Sequence, residues 1–401
     1  VIQLSNRIQG IAASATFAIK AKAAALKAQG RSVIDLSTGE PDGQPPSEAV
    51  AAGLAAIEDG EHRYAPVAGL PALREAVARS YDRFGLRYEA GNVLVTMGGK
   101  QALYNLANCL FDPGDEVIVF SPYWVSYLPQ FQLVGAKVVI VQTHPEDGFQ
   151  PRLDQVRSAV TSRTRAILVN SPSNPTGCVV ERDRLVAIDR LAEEHGLFVI
   201  SDEIYGQLTY DGVKAECFSG LSETARERTI LVDAVSKTFA MTGWRVGWLV
   251  APESVVTACA KLQGHSTSGV CAVNQRAALG ALAAPETFLT PIRSALVLRR
   301  NMLAAGLDAV EGIEVGPIAQ GAFYLFPRVD GLFGLLRPDG APIRSAMDLA
   351  DYFLDSVGVG VVPGEAFGEP RCIRVSYALG RDLVEEGVKR IQEAVTKLSR
   401  A

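Results

Sequence analysis

The sequence predicts an α/β protein: a large, mostly parallel seven-stranded sheet between layers of helix, with a smaller α+β domain behind it. Three observations predict this. Seven short segments are continuously apolar rather than alternating, which is how strands covered on both faces read. Helical patterns separate most of them, as parallel neighbours require. After about residue 290 the texture changes to one long helix followed by scattered strand-like pieces.

In order, NVLVTM (92–97) reads as the first strand of the sheet and GKQALYNLANCLF (99–111) as the helix after it. The turn DPGD (112–115) leads into EVIVF (116–120), then AKVVIVQ (136–142) and RAILVN (165–170). The helical pattern ERDRLVAIDRLAEEHG (181–196) precedes LFVISDE (197–203), TILVDAV (229–235) and RVGWLVA (245–251). The helix PIRSALVLRRNMLAAGLDAV (291–310) then joins the sheet to the pieces GAFYLFP, VGVVP and CIRVSY. The expected boundaries are an N-terminal segment 1–45 packed on the small domain, a large domain 46–290 and a small domain 291–401.

Bulk properties narrow the class. Hydrophobic content of 48% and charged content of 21% are ordinary for a globular protein, and the net charge of −5 gives no basic field for nucleic acid or an anionic membrane. Six scattered cysteines, with no C-x-x-C pair and no histidine at ligand spacing, predict free thiols in a reducing compartment, hence the cytoplasm, and no metal site. The longest uncharged run, Val117 to Ala136, contains two prolines and is a poor membrane span. IAASATFAIKAKAAALKAQG (11–30) is interrupted by Lys20, Lys22 and Lys27 and reads as an amphipathic helix rather than a signal peptide.

Ligands of open α/β sheets bind beyond the carboxyl ends of the strands. Five such ends carry polar or aromatic groups: GGK (98–100), SPYW (121–124), NSPSNPTG (170–177), SDEIY (201–205) and SK (236–237). Gly98 and Gly99 at a helix start suit a phosphate, or simply a tight turn. Asp202 reads as an ion-paired or capping acid, Asn174 as a turn residue, and Lys237 as a solvated lysine, if each is taken alone. Together with the flat Trp124 and with Tyr205 they offer an amine, a phosphate nest, a carboxylate and hydrogen-bond donors. That set matches pyridoxal 5′-phosphate, whose aldehyde needs a lysine and whose ring nitrogen needs an acid. Lys237 and Arg245, both in VSKTFAMTGWRVGW (235–248), are read as charges on the interior edge of the sheet.

The signature SKTFAMTGWRVG (236–247) resembles the class I aminotransferases of fold type I, in particular the bacterial aspartate aminotransferase subgroup that includes enzymes active on prephenate. The likeness runs from SAT (14–16) to RVSYA (374–378). It implies that Lys237 carries the cofactor and shuttles the substrate proton, that Asp202 holds the ring nitrogen protonated, and that Asn174 and Tyr205 bond the phenolic oxygen. Trp124 would stack on the ring, while Arg245, the Gly98 and Gly99 amides and Ser236 would hold the phosphate, with Lys100 beside them. Tyr64 would reach that phosphate from the neighbouring subunit, which implies a homodimer with shared sites. On the substrate side the resemblance implies Arg374 for the α-carboxylate, Gly39, Trp124 and Asn174 around it, and Lys100, Ser14 and Thr16 for a distal carboxylate.

There are departures from the pattern: Ala234 lacks a hydroxyl, GQPP (43–46) replaces an acidic-then-Thr-Pro loop, Ala13 replaces a proline, and GHSTSGVCAVNQ (264–275) is atypical. They leave every catalytic group in place and leave the substrates open. The expected reaction is ping-pong transfer of an amino group from aspartate or glutamate to a 2-oxo acid. Prephenate as acceptor, C–S β-elimination on the same fold, and a non-catalytic sensor are the competing readings. Nothing in the first 40 residues resembles the DNA-binding segment a sensor would carry.

Overall fold

The computed structural model describes residues 2–11 and 15–400, with the side chains of 15–17 excepted. Twelve strands are found among them: β1 (Ile34–Asp35), β2 (Val93–Thr96), β3 (Glu116–Ser121), β4 (Lys137–Gln142), β5 (Thr164–Asn170), β6 (Phe198–Asp202), β7 (Thr229–Ala234), β8 (Gly247–Val250), β9 (Tyr324–Leu325), β10 (Val359–Gly360), β11 (Val362–Pro363) and β12 (Ile373–Ser376). Strands β2 to β8 are the seven apolar segments, and they form one sheet in the order β2-β8-β7-β6-β5-β3-β4. Val93, Val117, Ile118, Ile167, Val199, Leu231 and Leu249 are all fully buried, so β2, β3 and β5 to β8 are covered on both faces, as the continuous apolar runs predict; β4, at the sheet edge, departs from this, with Ile140 exposed.

Within this sheet β8 alone is antiparallel to its neighbours, β7 and β2. The cause is the connection. Between Ala234 and Gly247 lie only the short helix Val235–Thr238 and the 3-10 turn Thr242–Trp244, which fold the chain back beside β7 instead of carrying it across the sheet. The strand also starts later than RVGWLVA suggests. Arg245 adopts φ 55° and ψ 49°, a left-handed conformation that no strand accommodates.

After β3 the chain adds β4 on one side, then crosses back to lay β5, β6 and β7 on the other. The sheet's switch point therefore lies between β3 and β5, where ligands of open α/β sheets bind. The C-terminal texture change is equally visible. Helix Leu289–Asp308 leads to an antiparallel sheet ordered β11-β12-β9, while β1 pairs with β10 in parallel. Ile34 and Leu36 share a core with Leu303, Leu349, Phe353, Ile373 and Ile391. Lys22, on the helix Ala15–Ala28, reaches Asp351 at 2.7 Å and Asp355 at 3.0 Å. No helix among the described residues is long and apolar enough to cross a membrane.

Candidate active site

Two residues after strand β2 comes Gly98, whose φ of 80° favours glycine, and the helix Gly99–Leu110 starts at once. A Cβ on Gly98 would stand 2.7 Å from Nη2 of Arg245. One on Gly247 would stand 2.6 Å from the Gly98 carbonyl carbon and the Gly99 nitrogen. Glycines therefore let two backbone segments and a guanidinium meet. Arg245 is fixed there by donating from Nη1 to the Thr242 carbonyl at 2.8 Å and from Nη2 to the Met97 carbonyl at 3.0 Å. A helix N-terminus with a cation beside it is an anion site. Contrary to the sequence reading, Arg245 is exposed rather than interior, because its left-handed backbone turns it outward from the sheet edge.

Beside this cradle a cavity of about 170 Å³ is lined by nine of the expected residues: Gly39, Gly99, Lys100, Trp124, Asn174, Asp202, Tyr205, Lys237 and Arg374. Gly98 and Arg245 border it at the cradle, and Ser236 is buried next to Lys237. Tyr64 is not in this lining. Its side chain is 96% exposed, in a separate surface cleft with His62, Gly269 and Cys271. Ser14 and the side chain of Thr16 lie outside the described residues.

Within the cavity, Lys237 donates from Nζ to the Gly39 carbonyl at 2.7 Å. Burial lowers its pKa to about 8; Glu40 opposes this, and Arg374, Arg245 and Lys100 add to it. Burial raises Asp202 to about 6, although the Tyr127 hydroxyl donates to its Oδ2 at 2.7 Å. Arg374, 3% exposed, donates from Nη1 to Asn174 Oδ1 at 2.9 Å and from Nη2 to the Ser37 carbonyl at 2.7 Å. Its planar group lies over the Tyr324 ring, 4.5 Å from the centroid, and Lys100 Nζ lies 5.0 Å from that of Trp124. These groups suit a flat ring bearing a phosphate, a carbonyl and a basic nitrogen, and two cations, Lys100 and Arg374, line the same cavity.

The sequence reading missed Tyr127, Asn170 and Tyr324. Tyr127 buttresses Asp202 and stands edge-on to Trp124 at 5.3 Å. Its signal is the spacing YWVSY, which puts a second aromatic three residues after Trp124. Asn170 ends β5 and accepts the Asn174 amide at 2.9 Å while donating to the Asp202 carbonyl at 2.9 Å. Tyr324 bonds Tyr205, hydroxyl to hydroxyl, at 3.0 Å; only the run GAFYLFP hinted at it.

Behind Asp202, burial lifts Glu203 from its usual 4.5 to about 7, despite donors from Ser201 Oγ and the Phe218 amide, both at 2.9 Å. The folded chain thus holds this proton longer than the unfolded chain does. The contribution of Glu203 to stability therefore falls as pH rises from about 4.5 to 7 and levels off above. Glu203→Gln is expected to remove up to about 3 kcal/mol of that fall. Denaturant unfolding at pH 5 and 7.5 would read it, and an unchanged slope would contradict the burial argument.

Comparison with known proteins agrees with this chemistry. A family model described as aminotransferase class I and II matches residues 31–391. An aspartate aminotransferase of Streptomyces avermitilis is 41% identical over 397 residues, covering 98% of this chain and 97% of the relative. An aspartate/prephenate aminotransferase of Thermus thermophilus is 42% identical over 391 residues, covering 96% and 97%. Among solved structures, the aspartate aminotransferase of Rhizobium meliloti matches with a TM-score of 0.95 at 35% identity over 100% of both chains. That of Thermus thermophilus with maleate matches with a TM-score of 0.92 at 39% identity, over 98% of this chain and 100% of the other.

Proposed function

This chain belongs to the class I and II aminotransferases, enzymes dependent on pyridoxal 5′-phosphate, and from that premise we propose that it moves the amino group of aspartate or glutamate to a 2-oxo acid such as 2-oxoglutarate. The observation that carries the reading is one cavity collecting the amine of Lys237, the buried carboxyl of Asp202 and two cations, Lys100 and Arg374. Two cations suit a dicarboxylic substrate and disfavour β-elimination from a monocarboxylate. The relative named for prephenate keeps that acid, which also has two carboxylates, among the acceptors to be tested.

Pyridoxal 5′-phosphate, when bound, supplies an aldehyde for the lysine amine and a protonated ring that takes up the electron pair freed at the substrate Cα. Two features support the fit. The Gly98 cradle keeps Arg245 beside its amides only because glycine has no side chain, since a Cβ there would stand 2.7 Å from Nη2 of Arg245. Asp202 is a buried carboxyl raised to about 6, which a cation alongside would stabilise. The Gly98 and Gly99 amides, Ser236 and Arg245 would hold the phosphate, Trp124 the ring face, and Asn174 and Tyr205 the phenolic oxygen. Asp202 would keep the proton on the ring nitrogen.

Lys237 is the group that would move a proton between the substrate Cα and C4′ of the cofactor. Its lowered pKa leaves a useful fraction of neutral amine near pH 8. Arg374 presents a planar fork to the α-carboxylate, geometry that lysine cannot copy. Lys100 takes the distal carboxylate, with Ser14 and Thr16 as further partners. Lys100→Ala is therefore expected to raise KM for aspartate about 10- to 100-fold, the worth of one charge-assisted bond, with little change for alanine. Equal losses on both substrates would contradict this role.

The same reading includes a homodimer in which Tyr64 serves the partner's phosphate. Its 96% exposure supports this, as do the exposed Leu54 and Ile57 on the helix Ser47–Glu58. A monomer in sedimentation at assay concentration would overturn it. A cytoplasmic setting fits six cysteines left as free thiols, and fractionation of the source cells would test it. Domains at 1–45, 46–290 and 291–401 complete the reading, supported by Ile34 and Leu36 packing with the C-terminal core; limited proteolysis would test the boundaries. The decisive experiment is absorbance of the cofactor-loaded protein with single amino acids. The visible band should convert with aspartate or glutamate and return with oxaloacetate, 2-oxoglutarate or prephenate. A band that no amino acid converts would reject the transaminase reading.

A further inference from the structure

Tyr324 touches three separate parts of the site and has no role in the function proposed above. It lies on β9, paired to β12 through Ser376, two residues from Arg374, and is 1% exposed. Its hydroxyl is 3.0 Å from that of Tyr205. The same oxygen would be 3.0 Å from a Cβ on Gly39, the residue whose carbonyl receives Lys237 Nζ. Its ring face carries the Arg374 guanidinium. We propose that Tyr324 is a positioning residue that sets how strongly Tyr205 donates its proton into the cavity, while its ring seats Arg374.

The reasoning rests on the reading that Tyr205 faces the cofactor's phenolic oxygen. A phenol has one proton. When Tyr205 directs its proton to that oxygen, its own lone pairs are left to accept, and the Tyr324 hydroxyl stands at hydrogen-bond distance to fill them. A hydroxyl that accepts a bond becomes a better donor, because each bond in the chain polarises the next. Burial raises both phenols, so neither ionises near neutral pH and the pair acts through polarisation rather than charge. The ring has a separate duty: its face holds a guanidinium by a cation–π contact that a phenylalanine would keep.

The test is the pH titration of the visible band of the cofactor-loaded protein, in wild type, Tyr324→Phe, Tyr205→Phe and the double variant. The other titratable or charged groups facing the pair are Asp202, Lys237, Glu40, Arg374, Tyr127, Tyr210 and Tyr377, and each variant leaves them in place. Weaker donation leaves more negative charge on the phenolic oxygen, so the neighbouring nitrogen keeps its proton to higher pH. Tyr324→Phe should raise the midpoint by about half a unit, the share of one neutral hydrogen bond. Tyr205→Phe should raise it further, and the double variant should match Tyr205→Phe alone. A midpoint unmoved by Tyr324→Phe, or moved equally in the Tyr205→Phe background, would overturn the proposal while leaving the cofactor site standing. A wild-type band that does not titrate would overturn both. Inhibition by maleate reads the second duty: it should weaken several-fold in Tyr324→Leu and stay within twofold in Tyr324→Phe. Equal weakening in both would remove the role of the ring.

Discussion

Lys237→Ala is expected to lower the transamination rate by on the order of 10⁴-fold or more, since in the proposed function one amine serves both as the cofactor's attachment and as the proton carrier. The cofactor should still enter, held by the phosphate cradle, but its spectrum should no longer respond to the protein's lysine. Unfolding would not explain the loss. Burial disfavours the ammonium, so the melting temperature of the cofactor-free variant should be unchanged or higher. The same pKa gives a kinetic signature in the wild type. Only the neutral amine attacks an aldehyde, so cofactor loading should accelerate as pH rises through about 8. A lysine left at its usual 10.5 would move that rise more than two units higher. Stopped-flow absorbance would measure it. Residual turnover above a few per cent in the alanine variant would remove Lys237 from the centre of the reaction.

The second large effect is expected at Asp202. Asp202→Asn keeps the size and still accepts the Tyr127 hydroxyl, but it removes the negative charge that, in the proposed function, holds a proton on the ring nitrogen. A loss on the order of 10²- to 10³-fold in kcat should follow, comparable with removing one preorganised electrostatic partner. Affinity for the cofactor adds a pH test. With its pKa raised to about 6, Asp202 becomes neutral as pH falls through that value, and it then loses its attraction for a protonated ring. Cofactor retention should therefore weaken below about pH 6 in the wild type and lose that dependence in the asparagine variant. Equilibrium dialysis at pH 5 and 7.5 would decide. Parallel curves would mean that some other group sets the affinity.

Both effects were foreseeable at particular residues and not at others. Lys237 and Asp202 are legible because each interrupts or ends a continuous apolar run, where an unpaired charge is costly and so needs a purpose. The edge rule for parallel sheets then puts them on one rim without any coordinates. Tyr127 reaches Asp202 across 75 residues of sequence, and Tyr324 reaches Tyr205 across 119. No local pattern encodes such a meeting. Arg245 failed in the opposite direction. Its apolar neighbours made it look like part of a strand, whereas its left-handed backbone leaves it exposed over Gly98.

The sequence by itself determined the strands, the helices between them, the carboxyl-edge loops and, through one specific signature, the family and its cofactor. These follow from short-range properties: apolar periodicity, turn residues and the cost of burying charge. Only the tertiary structure decided that β8 runs against its neighbours and that β9 and β12 bring Tyr324 to Tyr205, just past β6, and Arg374 to Asn174, just past β5. It alone set how far burial moves Lys237, Asp202 and Glu203 from their usual pKa values. The physical reason is that desolvation and side-chain contact depend on what packs around a group from every direction, and most of that surrounding comes from residues distant along the chain.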